Sequence, residues 1–447
     1  MRLLTACFVV SLVLVNPYLR GDGNGYYAWL RSPLIDGDVD FGNEYLHADP
    51  LFRSAFVDET GAPTPAMRTP TGKVENQWSI GPALLWAPAF GVAHLAARAG
   101  VAPADGLSPP YLWLTAMSTA IYGFIAVLLG IDLSRRFGFQ GTSVLAGAAV
   151  LFASSLPVYM YLVPFHVHAI AAFASGLFFW WGVTRVSDWS PRAWAIWGAT
   201  AGLMVVVYYV HAVFLLAVAA ALLRPGAMRA RVRAVTAFGL ASLPFLLLHG
   251  ASRLALYGSM TQTGYRDRFY WESPRLIATA FSPEHGLFLW TPVVLVALVG
   301  LAMIARRDPR ARVLLMVWAV LFYVIASYQN WHGQSSFGNR FFVSLTTIFV
   351  PGVAAALAWL AARARALPVA LVTVLALWNA GFVFQWGLNI VPNRGPVDFA
   401  LVARNQVSVV PARLGAVVSR YFSDRAGLRR EVEAGDSEER RQYRLGR

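Results

Sequence analysis

The sequence predicts an all-α polytopic membrane protein, and three observations carry that prediction. Of the 447 residues, 57% are hydrophobic and only 13% are charged, where soluble domains carry roughly 25%. The apolar residues fall into nearly charge-free runs that suit the hydrocarbon slab of a bilayer, roughly 30 Å thick. Basic residues, almost all Arg with Lys73 the single Lys, sit in short clusters between those runs, as topology signals do. Helices satisfy their own backbone hydrogen bonds, which lipid cannot do for them. The net charge of +14 forms no single patch, so nucleic acid is not expected as a partner. Cys7 is the only cysteine, which excludes a disulfide framework and a Cys-based metal site.

The first apolar segment, residues 3–19, has only Arg2 ahead of it and no small-x-small cleavage site. It reads as an uncleaved signal anchor with its N-terminus inside. A polar loop, 20–78, follows with nine acidic residues against five basic ones, an imbalance that suits the outer face. Ten apolar segments come next, at 80–97, 111–133, 143–163, 169–186, 193–223, 234–257, 286–305, 313–327, 341–361 and 367–386. Segment 80–97 holds Pro82, Pro88 and His94 and reads as re-entrant or interfacial. Segment 193–223 is too long for one upright helix and carries Tyr208, Tyr209 and His211 at its middle. It reads as a hairpin bent there. With these two assignments Arg135, Arg136, Arg185, Arg192 and the clusters at 224–233, 306–312 and 363–365 all fall inside, as positive-inside topology requires. The chain thus divides into a membrane domain, 1–387, and a polar tail, 388–447, placed outside. Within the tail, 397–422 is a candidate amphipathic helix lying on the membrane.

The same topology brings most polar residues to the outer side. In the first loop, Asp22 sits at the membrane edge among Gly21, Gly23 and Gly25, where a carboxylate is costly unless used or paired. Tyr26, Tyr27 and Trp29 follow as a candidate aromatic wall or interfacial belt. Asp36, Asp38 and Asp40 alternate, with Glu44 close behind; such oxygen ligands suit a divalent cation. Solvated loop charge explains them equally well, Asp36 above all. Late in the chain, Trp331, His332 and Gly333 precede Arg340 at the start of a span. An Arg there can hold a phosphate by paired hydrogen bonds, and anchoring at headgroup level is its competing reading. Glu284 and His285 mark another entry from outside, and His166 and His168 lie near the same boundary. No Ser-His-Asp order, phosphate-cradling Gly loop or zinc-protease helix is present.

Together these features resemble the GT-C class of membrane glycosyltransferases, which includes protein O-mannosyltransferases and aminoarabinose transferases. The resemblance rests on the first helix, the long acidic outer loop and the many spans, about ten or more. Gly21-Asp22-Gly23-Asn24-Gly25-Tyr26-Tyr27 stands where that class carries its acidic motif, with Gly23 in place of the usual second acid. Ser134-Arg135-Arg136-Phe137-Gly138 is similar to a recurrent inner-loop element. The Asp38 to Tyr45 stretch, Glu284-His285-Gly286 and the segment from Trp331 to Arg340 are similar to a bacterial branch of the class, up to about Trp386.

What the resemblance implies is a polyprenyl-phosphate sugar donor used at the periplasmic face of the inner (plasma) membrane. The acceptor would be a glycan, lipid or protein hydroxyl. Asp22 would take the acceptor proton, while Arg340 or a bound cation would stabilise the leaving phosphate. Tyr26, Tyr27, Asp38, Asp40, Glu44, His285, Trp331 and His332 would shape substrate binding, with Asp38, Asp40 and Glu44 the cation candidates. A transporter or flippase of lipid-linked saccharide is the principal rival, but it predicts deep paired charges and repeated halves. A polymerase or ligase places its large outer loop late in the chain. A non-catalytic scaffold is the third alternative, kept open by Gly23.

Overall fold

A computed structural model describes residues 1–445, so the last two residues of the tail lie outside the described residues. Helices carry the fold, and no strand forms among the described residues beyond three isolated bridges between loops. The order is α1 (Arg2–Ser11), the loop helices α2 (Asp22–Arg31), α3 (Gly42–Leu46) and α4 (Pro50–Phe56), then α5 (Gly81–Arg98), α6 (Pro109–Arg136), α7 (Ser143–Ala153) and α8 (His168–Thr184). There follow α9 (Pro191–Val207), α10 (Leu216–Leu222), α11 (Met228–Tyr257), the short α12 (Leu276–Phe281) and α13 (Leu287–Trp290), α14 (Pro292–Ala305) and α15 (Pro309–Ser327). The chain closes with α16 (Thr346–Ala361), α17 (Leu367–Gly387) and three tail helices, α18 (Phe399–Val407), α19 (Val409–Ser423) and α20 (Arg425–Leu445).

Among the described residues, five helices are long and apolar enough to cross a bilayer: α6, α11, α15, α17 and Arg340–Ala361, in which a 3-10 turn runs into α16. Six shorter apolar helices accompany them. The protein is a multi-pass membrane bundle. One end carries the arginine clusters: Arg136 pairs with Asp132 at 2.7 Å, Arg224 donates to the Val186 carbonyl, and Arg310 lies over the Phe137 ring. The other end carries the polar loops.

Both ambiguous segments resolve. At Tyr208 the backbone turns extended (φ −153°) and ends α9. Beyond it, Trp189 Nε1 donates to the Pro225 carbonyl at 3.0 Å, so the two ends of the segment meet and the chain has reversed. Helix α5 runs beside α2 instead. Trp29 Nε1 reaches the Trp78 carbonyl just before α5, and Tyr27 Oη reaches the Gly106 carbonyl just after it. Both of its ends therefore stay at the loop end of the bundle. Between spans, backbones touch through small residues: a Cβ at Gly198 would stand 2.1 Å from the Phe238 carbonyl oxygen of α11, and one at Gly300 would stand 1.8 Å from that of Gly352.

The tail is not one helix over 397–422. It breaks at Ser408 into α18 and α19, and α19 leaves Leu414, Val418 and Phe422 exposed. Helix α20 then folds back across the loop end. Asn389 Nδ2 donates to the Val432 carbonyl at 2.7 Å, and Arg394 pairs with Asp436 at 2.7 Å.

Candidate functional site

Helix α2 opens at Gly21, whose φ of +50° only glycine adopts freely. Asp49 pins this start: its Oδ2 accepts from the Gly21 N–H at 3.1 Å, and its Oδ1 caps α4 through the Phe52 N–H. Asp22 thereby becomes the first helical residue, where unsatisfied N–H groups favour a carboxylate. Arg340 opens a helix from a distant part of the chain. Its Nη1 meets Asp22 Oδ2 at 2.8 Å, with 33% of the Asp22 side chain and 17% of the Arg340 side chain still accessible. Burial would raise the Asp22 carboxyl, but Arg340 beside it, together with His166, holds it below the ordinary carboxylate value. Burial pushes the His166 imidazole itself down to about 4, so it stands neutral near the pair.

Two recesses flank this ion pair. The first, about 330 Å³, is lined by Arg20, Asp49, Tyr159, His166, Arg394 and Asp436 among others. The second, about 270 Å³, is lined by Tyr26, Tyr208, Tyr265, Asp267 and Tyr328. Asp22, Phe56, Gln77, Trp78, Gly333, Gln334 and Arg340 line both. Asp22 and Arg340 therefore stand in a shared wall. A third, largely apolar groove of about 310 Å³ runs between α17, α19 and α20. It shares Tyr18, Arg20, Val163, Trp386 and Glu433 with the first recess and no residue with the second.

The loop before Arg340 is held by internal bonds. His332 Nδ1 accepts from the Gln334 N–H at 3.1 Å, and Asn339 Nδ2 donates to the Trp331 carbonyl at 3.0 Å. Gln334 is left-handed at φ +60°, a conformation that costs about 1–3 kcal/mol and persists where surrounding structure enforces it. The result places Gln334 between the recesses.

Asp22, Tyr26 and Arg340 are thus brought together. His166 lines the first recess, His168 the second and Gly333 both, whereas Tyr27, Asp38, Asp40, Glu44, His285, Trp331 and His332 line neither. Tyr27 is buried and bonds the Gly106 carbonyl. His285 is buried against the Trp290 ring, 4.6 Å between centroids, and Trp331 and His332 support the loop from behind. Asp38 accepts from Ser32 Oγ and the Asp40 N–H, and Asp40 from the Gly42 N–H. Glu44 meets Arg31 Nη1 at 2.6 Å, and Asp36 meets the same nitrogen at 2.6 Å. Asp36 is therefore a paired charge instead of a plain solvated one. One oxygen of each of Asp38, Asp40 and Glu44 answers Ser32, a backbone N–H group or Arg31, so the three carboxylates are turned to different partners and do not converge on one point. No group of three His, Cys, Asp or Glu side chains gathers to hold a metal among the described residues.

Sequence reasoning missed Arg20, Arg394 and Asp436, which meet only because α20 folds back, with Asp436 3.9 Å from Arg20. It also missed Tyr265 and Asp267, which no span boundary marks. The departure at Gly23 gains a physical reason: a Cβ there would lie 2.8 Å from Phe165 Cβ. No room exists for the second acid of the class.

No family model matches the chain, and no curated protein matches it. Among solved structures, ArnT from Cupriavidus metallidurans bound to undecaprenyl phosphate aligns over 97% of this chain and 73% of its own, at a TM-score of 0.54 and 15% identity. Its apo state aligns over 97% and 72%, at a TM-score of 0.54 and 14% identity. The fold is GT-C-like.

Proposed function

We propose that this chain, GT-C-like in fold, is a membrane glycosyltransferase. It moves a sugar from a polyprenyl-phosphate donor to a hydroxyl acceptor at the outer face of the inner (plasma) membrane. One observation carries the reading: the Asp22–Arg340 pair stands in the wall common to two recesses. A two-substrate displacement needs such a place, with one reactant on each side. The donor suits the first recess. Its prenyl chain has the adjoining apolar groove, and its phosphate meets Arg20 and Arg340 there. That ArnT binds undecaprenyl phosphate supports this donor class. The arginine-rich end of the bundle would face the cytoplasm, which sets the recesses outside.

In the reaction, the acceptor oxygen forms a bond to the anomeric carbon while the bond from that carbon to the phosphate oxygen breaks. Asp22 accepts the acceptor proton, a contribution of about 10²–10⁴ in rate. The electron pair leaves with the phosphate, whose charge Arg340 meets. Ionised through its contact with Arg340, Asp22 is ready as a base without prior deprotonation. The purified chain supplied with polyprenyl-phosphate sugars tests this reading. Asp22→Asn should fold normally and lose on the order of 10²-fold or more in transfer. Full activity in that variant would refute the assignment.

A further inference from the structure

The second recess holds more chemistry than a proton transfer needs. We infer that it is a saccharide site, so that the acceptor hydroxyl belongs to a carbohydrate. Its role as acceptor site rests on the transferase reading, whereas its capacity to bind sugar does not.

The phenol rings of Tyr26, Tyr208, Tyr265 and Tyr328 wall this recess. Tyr side chains offer an apolar face and a polar tip. A pyranose has the complementary form, with C–H groups on its faces and hydroxyls around its rim, and C–H groups make weak favourable contacts with aromatic faces. The polar partners are held in fixed positions. Asp267 Oδ2 accepts from Tyr328 Oη at 2.5 Å, and Asp267 Oδ1 accepts from Asn330 Nδ2 at 2.9 Å. Each of these oxygens retains a second lone pair for a sugar hydroxyl, and such charge-assisted bonds are about twice as strong as neutral ones.

Other acceptor chemistries fit less well. A lipid chain would need an apolar groove, and the groove described above adjoins the first recess alone. An anionic acceptor would need a cation of its own in this recess, where Arg266 is paired with Glu75 and Arg340 is the cation assigned to the donor phosphate. Because Asp22 lines the same recess, a sugar seated on the tyrosines would present its hydroxyls toward the base.

Saturation-transfer NMR on the full chain in nanodiscs, without donor, tests the inference. The probes are methyl glucopyranoside, methyl galactopyranoside, methyl mannopyranoside and a serine-containing peptide. At least one pyranoside should show transfer to its ring C–H protons, and the peptide should show none. Tyr265→Ala, at a partly exposed loop position, should weaken pyranoside binding about tenfold, the scale of one lost ring contact. Tyr265→Phe should stay within about twofold because the ring remains. Arg394→Gln, in the first recess, should leave pyranoside binding intact. The inference falls if no pyranoside binds, if Tyr265→Ala binds as wild type does, or if the peptide alone binds. Sugar transfer to some other acceptor without pyranoside binding would sink the inference and spare the transferase reading. Pyranoside binding without consumption of any polyprenyl-phosphate sugar would do the reverse.

Discussion

Arg340 sets the charge state of Asp22. Burial acts to raise the Asp22 carboxyl, and Arg340 is the principal influence opposing it. Removing that guanidinium must therefore raise the Asp22 value. If Asp22 is the base, the rate is present above its value and lost as pH falls through it. In Arg340→Gln the acid limb of residual kcat/KM should move to higher pH, whereas Arg340→Lys, which keeps the charge, should hold it near the wild-type position. An unmoved limb in Arg340→Gln would detach Asp22 from the rate. Gly23 makes a second residue-scale prediction. Gly23→Asp, which restores the usual acid of the class, should not raise activity. It should cost about 1–3 kcal/mol, as overpacking does, because its Cβ meets Phe165; thermal unfolding in detergent measures the loss. Asp22 and Arg340 were legible in the sequence because charge at a membrane boundary is costly unless it is used or paired. His285 and His332 were misleading for a related reason. A loop position identifies the end of the bundle but not whether the side chain faces a cavity or the packing behind it.

At the scale of elements, α2 is anchored at both ends, by Asp49 at its start and by Arg31 at its finish. Arg31 bonds the Asp105 carbonyl at 2.8 Å as well as Asp36 and Glu44. Arg31→Ala takes the cation from Asp36 and leaves the Glu44 carboxyl and the Asp105 carbonyl without their donor; it should cost about 1–3 kcal/mol, read as a lower unfolding temperature. Glu44 adds a pH dependence. Burial pushes its carboxyl up to about 8, against the pull of Arg31. The folded state thus holds a proton that the unfolded chain releases near the ordinary carboxylate value. The stability this contributes is complete at acid pH and is lost as pH rises through about 8. Glu44→Gln should remove that decline, and an unchanged profile would contradict the placement. Periodicity and charge asymmetry made the spans, the hairpin at Tyr208 and the non-spanning α5 readable. The clustered acids of the first loop were read as ligands or solvated charge, because sequence spacing does not reveal that Arg31 turns back onto them.

For the whole molecule, the arginine clusters gather at one end and the recesses at the other. Positive-inside topology then predicts that the first loop and the tail lie outside. In a Cys7→Ser background, Thr60→Cys should react with a membrane-impermeant maleimide in intact cells, and Arg365→Cys only after permeabilisation. The opposite pattern would invert the orientation. The tail was the least legible part of the chain. Its charges resembled a solvated segment, and nothing local marks α20 as a wall of the first recess. That role comes from contacts such as Arg394 with Asp436 and Arg425 with the Val15 carbonyl, each spanning a stretch of chain that no periodicity reports. The central claim is that the two recesses exchange a sugar across the Asp22–Arg340 wall. Product stoichiometry during turnover of a polyprenyl-phosphate sugar by the purified chain tests it most directly. The account predicts one polyprenyl phosphate released for each new glycosidic bond, and both products reduced together by about 10²-fold or more with Asp22→Asn. Donor moved intact across the bilayer with no glycosidic bond formed, at equal rates in wild type and Asp22→Asn, would contradict it.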